Sequence, residues 1–295
     1  MSADLLGTVP FPGWEPHPDV WIVVGLLAVG YAVAVVRLGP RLSPAGQPVV
    51  TRLQITCWTL GVFATWLASD WPIHDVAEQS LYSVHMVQHL ILTLVVAPLL
   101  LLGTPAWLLR WILSPAWLFR TVRWMARFLP AVILYNLVIV LFHWPAVVDL
   151  TVGNGLAHFA AHVILFVSSL VVWLPILSPL PEIPRLVPVA RMVYLFLQSV
   201  VPTIPASFLT FGQKPLYKAY EGLPHLWGAS TLEDQRIAGL IMKIGAGLLI
   251  WAIIAVVFFR WAAEEEGADQ SLDPTGWQDL ERQLTATASR SPQVR

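Results

Sequence analysis

The chain holds one cysteine, Cys57, in 295 residues. A single thiol can neither close an internal disulfide nor build a CxxC metal or redox motif, so any metal chemistry must use other donors. Cys57 falls at the inner end of an apolar run, where a small packing role is expected. Charge is scarce too: Asp, Glu, Lys and Arg make up 12% of the chain and the net charge is −1, against ~25% charged in a soluble domain. The scattered basic residues leave no patch suited to nucleic acid, which excludes that class of partner. A Gly-rich phosphate loop, a nucleophile elbow and a convincing internal repeat are absent as well. No Lys or Arg precedes the first apolar run and no A-x-A-like cleavage pattern follows it. The N-terminus therefore does not read as a removable signal peptide and is expected to remain in the mature protein.

Apolar surface is what the chain has in excess: 57% hydrophobic residues, 15 Trp and a mean hydropathy of +0.68. This composition predicts an all-α fold class, a polytopic transmembrane helical bundle. Runs near the ~20 residues that cross a hydrocarbon core lie at 20–36, 53–69, 80–102, 130–144, 156–177, 191–211 and 237–259. Seven spans are expected, the fourth being the shortest, bracketed by Pro130 and Pro145. Residues 1–19 read as a Pro-rich, acidic extracytoplasmic arm, 20–260 as the seven-helix domain, and 261–295 as a cytoplasmic, largely disordered tail. Within the tail, Trp277, Leu280 and Leu284 are spaced for one weak amphipathic helix.

Basic residues near span ends set orientation. Arg37, Arg41, Arg52, Arg110, Arg120, Arg123, Arg127, Arg185, Arg191 and Arg260 fall on one side; Lys214, Lys218 and Arg236 fall on the other. The N-terminus is expected outside and the C-terminus in the cytoplasm. The outer loops are acidic, with Asp70, Asp75, Glu78, Asp149, Glu221, Glu233 and Asp234. The inner loop 104–129 interleaves Trp107, Trp111, Trp117 and Trp124 with arginines, as in helices lying in the headgroup layer. Pro202 and Pro205 interrupt span six, with Gln198, Thr203, Ser207 and Thr210 at hand to satisfy the freed backbone groups.

The chemistry lies in two pairs of histidines. His85 and His89, and again His158 and His162, are four residues apart at the starts of spans three and five, so each pair lies on one helical face. Taking starts near Gln79 and Gly155, His85 and His89 lie roughly 9 and 15 Å into the span, and His158 and His162 roughly 5 and 10 Å. Ionisable residues inside spans are costly and mark functional sites by default. His143, His74, His225 and His17 fall toward the same outer side, and none of the eight histidines is cytoplasmic. Neutral imidazoles bonding across helices would explain one such residue; two pairs at matched depth point to a metal. Imidazole suits Cu, Zn, Fe and Ni, and the lack of cysteine disfavours a closed structural zinc. Met242 is a candidate soft ligand at this depth, favouring Cu(I), with packing the plainer alternative. Met86 lies about 100° around the helix from His85, which points it away from the site. The acidic outer loops fit a cation-capturing rim, although the charge rule alone also leaves an acidic outer surface; Asp70 and Asp234 stand at the outer mouths of spans. Lys243, inside span seven, is expected to snorkel or to pair with one of them.

Taken together, Tyr82-Ser83-Val84-His85-Met86-Val87-Gln88-His89 with Pro98 and Leu102-Gly103-Thr104-Pro105, then His158-Phe159-Ala160-Ala161-His162 with Trp173-Leu174-Pro175-Ile176, then Leu216-Tyr217-Lys218-Ala219-Tyr220 and Asp234-Gln235-Arg236-Ile237-Ala238-Gly239-Leu240-Ile241-Met242 resemble one family. It is the CtaG family of multi-span bacterial cytochrome c oxidase assembly factors, of the kind found with caa-type oxidases. The likeness covers about residues 60–260. It implies a non-enzymatic, multi-pass protein of the bacterial plasma membrane that helps supply copper to the oxidase catalytic subunit. Oxidase subunits and a copper donor protein would be its partners, and copper contact falls to His85, His89, His158 and His162. Lys243 departs from the aromatic residue expected after Met242. Two other classes stay open: a haem-binding membrane cytochrome with His85 and His162 as axial ligands, and a metal-free scaffold for oxidase subunits.

Overall fold

The computed structural model describes residues 10–271 and 281–285. Trp277 and Leu280 lie outside the described residues. Among those described, every element is helical. The longer helices are α1 (Pro18–Leu42), α2 (Arg52–Ser69), α3 (Ile73–Gln79), α4 (Tyr82–Gly103), α5 (Ala106–Ile112), α6 (Ala116–Met125), α7 (Phe128–Phe142), α8 (Pro145–Val152), α9 (Gly155–Leu177), α10 (Pro188–Phe211) and α11 (Thr231–Gly267).

Of these, α1, α4, α9, α10 and α11 are long and apolar enough to cross a membrane, five in all, or six if α6 and α7, bent by 86° to each other, count as one span. Two of the seven expected runs explain the difference. α2 has 18 residues but carries Arg52, Gln54, Thr56, Thr59 and Thr65, which dilute its hydropathy, and α7 has only 15. α2 nevertheless packs closely on α4. A Cβ added at Gly103 would stand 2.7 Å from the backbone nitrogen of Trp58, and the Gly103 carbonyl accepts a 2.8 Å bond from the Tyr31 hydroxyl on α1.

Local sequence sets the helix limits. Thr51 and Gln54 form a reciprocal capping box at the start of α2, and Ser230 and Glu233 do so at the start of α11. Asn154 caps α9 by accepting from the Ala157 N–H at 3.1 Å. The Pro202–Pro205 segment breaks α10, and Ser207 and Thr210 donate to the carbonyls of Thr203 and Ala206 at 2.7 and 2.8 Å, as Thr203 does to that of Val200. Gln198 bonds elsewhere, accepting from Asn136 of α7 at 2.8 Å.

Three features go beyond the expectations above. Trp107 is buried in the core and donates to the Val49 carbonyl at 2.8 Å, while Trp111, Trp117 and Trp124 are exposed. α11 runs past Arg260 to Gly267, because Ala262, Ala263 and the three glutamates are good helix formers and Trp261 donates to Glu265 one turn on. α4 and α11 each contain a π-helical stretch, Ile91–Val96 and Ile241–Gly245. Just past His89 the widened turn of α4 is stitched by Thr93, which donates to the His89 carbonyl at 2.7 Å. The Thr93 carbonyl in turn accepts from Trp173 of α9 at 2.8 Å, which fixes the two histidine-bearing helices to each other.

Candidate metal centre

α4 begins at Tyr82, yet its N-cap residue, Leu81, has no side chain able to accept the orphan N–H groups. Asp234, from α11, does so instead. Its carboxylate accepts from the Tyr82 N–H at 2.7 Å, from the Ser83 N–H at 3.1 Å and from the Ser83 hydroxyl. The expected rim residue is thus buried against the positive end of α4, where a carboxylate is favoured. There it fixes the helix start three residues before His85. Asp70 is committed elsewhere too: it accepts from Trp21 at 2.9 Å, Trp66 at 2.7 Å, the Trp71 N–H at 2.9 Å and His17 at 3.1 Å. Burial pushes the Asp70 carboxyl up, but these four donors outweigh it and hold it below the usual range. It clamps the N-terminal arm onto α2.

The two histidine pairs face each other. Ring centroids are 4.3 Å apart for His85 and His89, 4.5 Å for His158 and His162, 4.9 Å for His89 and His162, and 5.7 Å from His85 to both His158 and His162. One nitrogen from each of His85, His158 and His162 falls within 4.8 Å of the others. His89 stands one turn deeper and outside that triad. The enclosed space between them is about 30 Å³ and is also lined by Met86, His143, Tyr82 and Tyr220. That is room for about one water or one ion.

Tautomers follow from the surroundings. His158 Nδ1 donates to Glu78 at 2.6 Å, which leaves its Nε2 as the lone-pair nitrogen, 2.8 Å from His162 Nε2. A carboxylate behind an imidazole is the arrangement that orients metal-ligating histidines. Two nitrogens on one metal stand about 3.3 Å apart for bonds of ~2.0 Å, so a small ring rotation would admit an ion. His85 Nδ1 and His89 Nε2 are buried without a hydrogen-bond partner, a costly state that a bound metal would relieve. The donor set of neutral imidazoles fits a borderline or soft transition metal.

Around the triad lies a shell of residues that the sequence shows only as members of an outer loop. Glu78 and His74, one turn apart on α3, approach to 3.4 Å, and His74 Nδ1 accepts from Gln88 at 3.1 Å. Burial pulls His74 down, against the opposing pull of Glu78, and the neighbouring imidazoles of His17 and His158 add to the lowering. Burial raises Glu78, but the His158 hydrogen bond and the neighbouring His74 bring it below the usual range. His17 reaches Asp75 at 3.5 Å, and burial raises the Asp75 carboxyl. The i,i+4 spacing of His74 and Glu78 is the signal that could have found this shell. A cleft of about 340 Å³ opens beside it, between Val20, Val24 and Leu27 of α1 and Phe159, Val163 and Phe166 of α9.

His143 lines the cavity between the histidine pairs too, with Nδ1 donating to the Ile139 carbonyl at 2.7 Å. Met86 lines it as well, contrary to expectation: it is one turn from His89, at i−3, and that pair shares a face even though Met86 is rotated from His85. Met242 is buried beside the deeper part of the cluster. Lys243 is exposed and sits over the Phe211 ring at 5.7 Å rather than pairing with Asp70 or Asp234. His225, whose Nδ1 lies 2.8 Å from the Leu223 carbonyl, is outside the cluster.

A family model described as cytochrome c oxidase caa3 assembly factor, Caa3_CtaG, matches residues 29–264. The chain belongs to this family. The matched stretch contains the whole histidine cluster and leaves His17 outside it. No curated protein and no solved structure matches the chain. Membership makes this a multi-pass membrane protein of cytochrome c oxidase assembly, acting with the oxidase.

Proposed function

We propose that this assembly factor binds copper at His85, His89, His158 and His162 in the outer half of the bacterial plasma membrane and passes it to the oxidase catalytic subunit. The observation that carries the reading is the convergence of three imidazole nitrogens within 4.8 Å, with Glu78 behind His158 and unpartnered nitrogens on His85 and His89. Copper is the cargo, held by neutral imidazoles that the fold pre-orients. In this reading seven segments cross the membrane, α2 and the bent α6–α7 pair included. The N-terminal arm and the cluster face outward and α11 ends in the cytoplasm, an orientation that the distribution of basic residues supports. A copper donor protein would then meet the site from the outer side. The packed rings around a cavity of about 30 Å³ leave no slot for a tetrapyrrole between His85 and His162, which weighs against the haem alternative.

Purified protein should hold one copper that a His85→Asn/His162→Asn double variant retains less well, with oxidase activity falling in parallel in a deletion strain and membrane insertion unaffected. A quadruple histidine variant that keeps its copper and restores full oxidase activity would refute the assignment. A reporter fused after Arg260 should behave as cytoplasmic; an external signal would invert the proposed orientation.

A further inference from the structure

The cluster borders a second, mostly apolar cavity of about 60 Å³, whose walls include Met86, His89, His143 and Met242. Met86 and Met242 are 2% and 5% exposed, and they are two of only five methionines in the chain. Buried methionine is usually adaptable filler, so the thioethers alone decide nothing. The imidazoles beside them do. Because His143 Nδ1 lies 2.7 Å from the Ile139 carbonyl, a group that can only accept, Nδ1 carries the proton and Nε2 is a bare lone pair. That Nε2 is buried without a partner, as is His89 Nε2, and both residues line this cavity. A ring N–H anchored on a backbone carbonyl with the opposite nitrogen free is how ligating histidines are held.

We infer that His89, His143, Met86 and Met242 form a second, softer metal position that takes Cu(I) in particular. Thioether donors select Cu(I) over zinc and over Cu(II), which the all-imidazole triad would accept. His89 adjoins both positions, its ring centroid 4.3 Å from that of His85 and 4.9 Å from that of His162. A cuprous ion can therefore move between triad and thioethers by exchanging ligands, with no change of oxidation state. This inference rests on the copper reading of the histidine cluster and adds the oxidation state and a second stopping point.

The test uses full-length protein in detergent, loaded anaerobically with one equivalent of Cu(I) and, separately, with Zn(II). Copper X-ray absorption should show a sulfur neighbour near about 2.3 Å, absent in a Met86→Leu/Met242→Leu variant, whose apolar replacements keep the volume. Cu(I) affinity, read by competition with a chromophoric chelator, should fall by at least the roughly 10–100-fold that loss of an outer-shell partner costs. Zn(II) affinity should hold. His143→Gln should lower Cu(I) affinity likewise, and a His85/His158/His162→Asn variant should retain Cu(I) with its sulfur signal. A nitrogen-only shell in the wild-type protein, or a methionine variant with undiminished Cu(I) affinity, would overturn the softer position while leaving the triad reading intact. Wild-type protein that binds no copper would defeat that reading as well. Should the double methionine variant fail to fold, the wild-type absorption spectrum and His143→Gln decide.

Discussion

Replacing Asp234 with alanine removes the acceptor that starts α4. The buried N–H groups of Tyr82 and Ser83 lose their partner, and each unpaired buried donor costs about 1–3 kcal/mol, while an ordinary N-cap lost to alanine costs about 0.5–2 kcal/mol. Water reaching the helix end offsets part of this, which puts the loss at about 2–4 kcal/mol. A thermal midpoint in detergent should fall by roughly 5–15 °C. Asp234→Asn keeps one acceptor oxygen and should lose about half as much. Glu233→Ala is the internal control. It sits one residue away, but its carboxylate serves only the exposed capping box of α11, so about 0.5–1 kcal/mol is expected. Copper affinity should follow the same order, because Asp234 fixes the helix start three residues before His85. An Asp234→Ala protein that melts within about 2 °C of wild type would refute the positioning role.

The Asp70 clamp gives a pH dependence. Its folded-state pKa is depressed, so its stabilisation is present above the unfolded value of about 3.9 and is lost as pH falls through the lower folded value. Hydrogen-exchange protection of residues 12–21, measured relative to the unfolded chain, should therefore fall below about pH 4, and in Asp70→Asn it should be low at every pH; a well-protected arm in that variant would contradict the clamp. Gly103→Ala drives a Cβ into the Trp58 backbone, which cannot yield like a flexible side chain. It should cost about 1–3 kcal/mol, read as a lower thermal midpoint, and no loss would mean that α2 and α4 are less closely apposed. Deleting residues 268–295 should leave membrane insertion and oxidase assembly intact, as tested by complementation.

The histidine pairs are legible in the sequence because i,i+4 spacing is a one-dimensional trace of a shared helical face. Met86 is misplaced by an angle measured from His85; measured from His89 it falls on the cavity side. Asp234 looks like a rim carboxylate, since sequence shows that an acid lies near a span end but not which distant N–H groups it meets. Glu78 and His74 show an i,i+4 spacing in the sequence, but only the fold, which brings Glu78 to His158, reveals what it serves. α2 shows the limit of hydropathy: its threonines and Gln54 lower its average, while contact with Gly103 depends on a glycine 45 positions away in the chain from Trp58. The π-helical stretches of α4 and α11 leave no trace that periodicity could register.

The 86° turn between α6 and α7 works as a draught mark. α6 carries Trp117, Trp124 and Arg120, all exposed, so in the proposed orientation it floats at the inner headgroup level. α7 then rises from it as a strut of 15 residues, about 22 Å tall. Against a hydrocarbon core of ~30 Å, the strut ends about 8 Å short of the far boundary, and His143 sits on its tip. Were the keel held at the inner face, a change in bilayer thickness would be taken up at the top. A thinner membrane would lift the histidines toward water and a thicker one would submerge them. The lipid composition around the protein would then set how readily a metal ion reaches them.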